Sequence, residues 1–217
     1  MKGLLVKDLR IVLKKKQQLL VLLGICAMIA FTSDGSFIIA YAAGLTGILG
    51  LSTYAYDEHD NGFPFLFSLP VDVKTYVQEK YLFCILADLV GMAIGTGLSL
   101  IACASTGKME VFWDNLPYVA VYFPATLLLI LSVLLIQMIF GIERSRLVTF
   151  LLYGVLFILS AVAVKVVGPI DQEQVARHLP EWMTGVPFVA AVVFTVVAAL
   201  CAALYFASLK AMRNKEF

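Results

Sequence analysis

Six long apolar runs separated by short polar connections, at residues 17–32, 37–56, 81–104, 116–140, 147–168 and 186–209, limit what this chain can fold into. Most reach the ~20 residues that cross ~30 Å of hydrocarbon as a helix, and a lipid-exposed backbone satisfies its hydrogen bonds only as a helix or a closed barrel. The composition agrees, with 61% hydrophobic and 14% charged residues, far from the balance of a soluble domain. The predicted fold class is therefore an all-α membrane protein, one domain over residues 1–217. The first run is the weakest. Its apolar centre, 19–31, spans only about 20 Å at ~1.5 Å per residue, so it recruits Gln17, Gln18 and Thr32 or thins the bilayer.

The basic start followed by this short run resembles a secretory signal. The basic part is long, however, and a second run begins at Phe37, which favours a hairpin that inserts and stays. Placing the N-terminus in the cytoplasm puts 13 of the 16 Lys and Arg residues on that side and leaves Lys108, Lys165 and Arg177 on the other. Over short loops this is a strong positive-inside pattern. An even span count then returns the C-terminus to the cytoplasm of the plasma membrane. Trp113, Tyr118, Tyr122 and Trp182 suit an aromatic belt at the outer interface.

Net charge is +1, so no nucleic-acid partner is indicated, and what matters is where charges sit. In residues 1–16, Leu5, Leu9 and Val12 recur at helical spacing while Lys7, Arg10 and Lys14 occupy another face. One reading is an interfacial helix on anionic membrane lipids; the other is a basic flank that only fixes orientation. The outer loop 169–185 has Asp171 and Gln174 spaced for a brief capped helix ending near Pro180.

The connection between runs two and three, residues 57–80, reads DEHDNGFPFLFSLPVDVKTYVQEK. Five acids, Asp57, Glu58, Asp60, Asp72 and Glu79, stand against Lys74 and Lys80, which opposes the positive-inside trend. Phe63, Phe65 and Phe67 beside Leu66 and Leu69 are expensive on an aqueous loop. They either dock a partner or seal the underside of the bundle. Pro70 and Asp72 suit the start of a helix that runs through Val77 into the third span.

The same residues lack the patterns that would make the chain an enzyme. Gly107-Lys108 is followed by Met109 rather than Ser or Thr, so the phosphate-loop pattern fails. His59 and His178 are both in loops, no His-Glu-x-x-His spacing occurs, and no catalytic or metal site is assigned. Cys26, Cys84, Cys103 and Cys201 lie in apolar runs without paired spacing and read as small buried hydrophobes. Asp88 is the acid well inside a span. It is either part of a substrate or cation path or a hydrogen-bonded packing residue. Lys165 snorkels. Gly91 and Gly95 form a GxxxG pair and Gly44, Gly47 and Gly50 recur every three positions, which predicts close helix approach within one subunit or between two.

Tyr56, Asp57, Glu58, Asn61 and Gly62, then Ser68, Leu69 and Pro70, then Val77, Lys80 and Tyr81 resemble the loop of small type-2 ABC transporter permeases. Lys2, Gly3, Leu4, Lys7 and Asp8 are similar to that family's opening. The resemblance covers the chain in topology and two short motifs in residue detail. It implies six spans, an N-terminal interfacial helix, and a cytosolic coupling helix between spans two and three. That helix would dock on a separate ABC ATPase subunit carrying ATP and Mg, through Asp57, Glu58, Asn61, Phe63, Phe65, Phe67, Leu69 and Pro70. Arg144, in the turn 141–146, would make a second, minor contact. It also implies a second permease subunit, identical or homologous, and export of an amphipathic peptide, drug or lipid-like molecule. The competing readings are a membrane immunity or sensor protein that works without ATP, and an ion-coupled carrier resting on Asp88.

Overall fold

A computed structural model describes residues 2–32, 36–59, 62–68, 71–167 and 186–214. Among them every regular element is a helix. The order is α1 (Lys2–Lys14), α2 (Lys16–Thr32), α3 (Ser36–Glu58), α4 (Gly62–Ser68), α5 (Val73–Thr106), α6 (Met109–Asn115), a 3-10 turn (Leu116–Tyr118), α7 (Val119–Val167) and α8 (Val186–Arg213). Among the described residues four segments are long and apolar enough to cross a membrane: Ile38–Glu58, Val73–Thr106, Met109–Val155 and Phe194–Arg213. Lys16–Ala30 is apolar but shorter.

The 49 residues of α7 would reach roughly 73 Å if straight, more than twice the hydrocarbon thickness. The helix is broken at Gly141, whose φ of 75° and ψ of 170° are non-helical. This left-handed φ is costly for residues with a Cβ. The arms on either side, 119–140 and 142–167, fold back on each other: Tyr153 Oη and Ser132 Oγ are 2.7 Å apart, and the Tyr153 hydroxyl also donates to the Leu129 carbonyl at 3.4 Å.

Glycine decides how α5 meets α3. A Cβ placed on Gly91 would lie 2.7 Å from Ala43 Cα, and one on Gly95 would lie 2.8 Å from Ile39 Cα. The GxxxG face therefore packs inside this chain, with backbone against backbone. The second glycine series divides its roles: Gly47 faces the Ile130 side chain on α7, Gly50 lies against Ala87 and Cys84 on α5, and Gly44 has open space. Two apolar clusters result. One joins Ile38, Ile39, Ala42 and Ala43 to Met92 and Ala102. The other joins Leu51, Tyr54, Tyr76 and Val77 to Leu131, Leu134, Met138 and Met212.

At the far end of α5, Gly107 adopts φ 71° and its N–H bonds to the Cys103 carbonyl. The glycine of the Gly-Lys pair is thus a helix C-cap. Trp113 and Tyr118 are exposed beside it; Trp182 and the outer loop 169–185 lie outside the described residues.

Candidate functional site

The first turns of α5 are the most densely committed part of the molecule. Asp72 occupies the N-cap position with extended backbone, yet its side chain makes no capping hydrogen bond. The helix is held instead by what its next residues touch. Tyr76, Val77, Glu79, Lys80 and Tyr81 are all buried, and they reach four other helices.

Lys80 is 1% exposed. Its ammonium bonds the Asp8 carboxylate of α1, lies 2.7 Å from Asp57 Oδ2 of α3 and donates to Thr53 Oγ1 at 3.2 Å. Asp57 also accepts from Lys7 at 2.5 Å and from the Tyr76 hydroxyl at 3.1 Å. Lys7 lies 3.2 Å from Asp8 Oδ1. Two ammoniums and the carboxylates of Asp8 and Asp57 thus tie α1, α3 and α5 together. Breaking such a buried pair costs ~3–5 kcal/mol because the remaining charge is stranded. Glu79 adds a third buried carboxylate. Neither of its oxygens accepts a hydrogen bond, and its nearest cation, Lys80 Nζ, is 4.0 Å away.

Tyr81 points the other way. Its hydroxyl pairs with Ser208 Oγ at 2.7 Å, and its ring meets Tyr205 edge-on at 5.5 Å, both on α8. The adjacent Lys80 and Tyr81 therefore bind different neighbours, α1 and α3 for the first and α8 for the second.

The aromatic connection forms a seven-residue helix, α4, with two unlike faces. Phe63 and Leu66 are buried. Phe63 packs on Tyr54 at 5.7 Å and on Tyr76 at 5.9 Å, and Phe67 meets Tyr76 at 5.9 Å. These rings seal the base of the bundle. Phe65 is 72% exposed. Beside it a cavity of about 460 Å³ opens between α1, α3 and α4, lined in part by Lys7, Tyr56, Asp57 and Phe65. A Cβ on Gly62 would lie 2.5 Å from the Asp57 carbonyl oxygen, so this glycine lets α4 turn back tightly under α3.

The residues marked in the sequence thus separate. Asp57 faces inward, 9% exposed, and Phe63 and Phe67 face the bundle, whereas Phe65 faces out. Glu58 reaches the helix break: a Cβ on Gly141 would lie 2.5 Å from Glu58 Oε1. Arg144 is exposed just beyond that break. Asn61, Leu69 and Pro70 lie outside the described residues. Asp88, fully buried, accepts a hydrogen bond from Thr126 Oγ1 of α7 at 3.3 Å, while its Oδ1 has no hydrogen-bond partner. Lys7 departs from its expected place among lipid head groups, because Asp57 and Asp8 engage its ammonium.

Asp8 was marked in the sequence only as part of the opening that resembles the family, and its buried pairing was not read. It is the one acid among the helical residues of α1, and an acid on an otherwise basic amphipathic helix was the available signal. Its partner Lys80 lies 72 positions away.

Long apolar helices, a hairpin broken at a glycine and a buried ionic knot at one end define a multi-pass helical membrane protein. The particular family follows from comparison: the model described as ABC-2 family transporter protein matches residues 3–213, and the chain belongs to that family. It is a membrane transport subunit and not itself a catalyst, and the family implies an ABC ATPase partner in general terms. No curated protein and no solved structure gave a significant match.

Proposed function

We propose that the chain is the transmembrane permease of an ATP-driven exporter that works with a separate ATPase subunit carrying ATP and Mg. In this reading α2, α3, α5, the two arms of α7 and α8 are six spans. Both termini and α4 lie in the cytoplasm, beneath the plasma membrane. Two such subunits, identical or homologous, enclose the pathway. The single observation that carries the reading is the double bonding at the start of α5. Lys80 holds α1 and α3 while Tyr81 holds α8, so a push on α4 is delivered through Tyr76 into a packed unit. Rigid-body tilting of such a unit is how alternating access is commonly achieved.

The same geometry divides the labour within the loop. Phe65 and Tyr56 present the surface that the ATPase meets, and Arg144 adds to it across the Glu58–Gly141 contact. Asp57, Phe63 and Phe67 hold the lever in shape. An amphipathic cargo fits an apolar groove of about 510 Å³ between α3 and α7, lined by residues including Gly44, Ile48, Leu129 and Tyr153. Asp88 lies against Thr126 and acts as a packing residue.

Phe65→Asp tests the assignment. Because Phe65 is a surface residue, its replacement should shift stability by no more than ~0.5 kcal/mol, while the ATPase ceases to co-purify. Undiminished co-purification would remove α4 from the contact, and transport by the purified chain without an ATPase would end the proposal.

A further inference from the structure

A third cavity, of about 530 Å³, lies between α1, α2, α3 and α5. Its size is that of a ligand site, but its walls are hydrocarbon. From α1 come Leu5, Leu9, Val12 and Leu13, and from α5 a column running from Phe83 to Ile94. Thr46 supplies the one lining hydroxyl among the described residues, and it is spent on its own helix, donating to the Ala42 and Ala43 carbonyls at 3.0 and 2.9 Å. A cavity with no group left to bind water is a poor site for water.

The column from Phe83 to Ile94 rises about 16 Å along the helix, close to half the ~30 Å hydrocarbon thickness. The cavity is therefore one leaflet deep. Its mouth is basic. Leu13 and Leu19 line it on either side of Lys14, Lys15 and Lys16, the corner joining α1 to α2. Lys15 fixes that corner on α3 by donating to Ser52 Oγ at 3.1 Å and lying 4.4 Å over the Tyr56 ring. Lys14 and Lys16 are exposed.

We propose that this cavity holds one acyl chain of an anionic phospholipid from the leaflet on the α4 side. Its head group sits at Lys14 and Lys16, and its tail follows α5 towards Ile94. The amphipathic face of α1 then roofs a resident lipid. Leu4 and Asp8, on another side of α1, carry the protein contacts.

The proposal rests on the membrane reading but not on the ATPase. The test is native mass spectrometry of the chain purified in mild detergent from membranes containing phosphatidylglycerol and phosphatidylethanolamine. The expected result is one retained phosphatidylglycerol per chain. Val90→Trp and Leu9→Trp each put an indole into the slot from a side chain that is already about half exposed. Both should lose the lipid while keeping a folded elution profile. The double variant Lys14→Glu, Lys16→Glu should lose the preference for phosphatidylglycerol. Retention unchanged in both Trp variants would overturn the proposal, as would a wild-type protein retaining both lipids in the membrane's own ratio. A shift from dimer to monomer in the Trp variants with no lipid found would show a second copy in the slot, and would also overturn it. Loss of ATPase co-purification leaves these outcomes unaffected, so the two readings fail separately.

Discussion

The α3–α5 pair is joined by two different kinds of contact along its length. Towards the middle of α5, Gly91 and Gly95 let the backbones touch, and the contact is made of dispersion between small groups. At the α4 end, Lys80 is bonded to Asp8 and Asp57 and shares a buried polar centre with Thr53, Tyr76 and Glu79. A glycine contact sets distance but tolerates small sliding. An ionic centre sets register, because each charge has one arrangement in which its desolvation is offset. The difference teaches where the bundle is keyed and where it is only close-packed, and the keyed end is the one that carries α4.

Three substitutions break or sharpen that contrast. Lys80→Met should have the largest effect, because it leaves the buried Asp8 and Asp57 carboxylates to share one partly exposed cation, Lys7. A loss of ~3–5 kcal/mol is expected, read as a large drop in thermal midpoint in detergent and poor recovery of folded protein. Gly95→Leu comes next. The new side chain meets the Ile39 backbone, and overpacking costs ~1–3 kcal/mol, measured by the same unfolding transition. If Gly95→Leu proved the more damaging, the ionic centre would not be the dominant tie. Glu79→Gln should be smallest and opposite in sign. It replaces a buried carboxyl whose oxygens accept no hydrogen bond by a neutral amide of the same shape, and the midpoint should stay or rise by the equivalent of up to ~1 kcal/mol. A marked drop would show that Glu79 is held by an interaction outside the described contacts.

Much of the helical architecture was legible because apolar runs need no partner to be recognised. The runs at 37–56 and 81–104 lie within α3 and α5, whose ends extend further because the loop residues on either side are helical too. The α7 hairpin was legible as two runs with a turn at Gly141. The ionic centre was not legible. Asp8 and Lys80 are 72 positions apart, and in sequence Lys7, Asp8, Asp57 and Lys80 weigh as charges and as residues of two separate motifs, with nothing that pairs them. The aromatic loop was legible as anomalous, and the structure gives a packing role to two of its three phenylalanines. Phe63 and Phe67 seal the bundle, and Phe65 stands out from it. That division follows from α4 being helical, which a run containing Pro64 and three phenylalanines does not announce.

The account stands on α4 being a cytoplasmic surface that meets an ATPase. Phe65→Cys, in a background with Cys201→Ser, gives a single accessible thiol at that surface, because the other native cysteines are buried. The measurement is cross-linking from this thiol in inside-out vesicles, compared with labelling of intact cells by a membrane-impermeant maleimide. The account predicts a cross-link to a subunit that carries a phosphate loop, altered by ATP, and no labelling from outside. Labelling of Phe65→Cys in intact cells would contradict it.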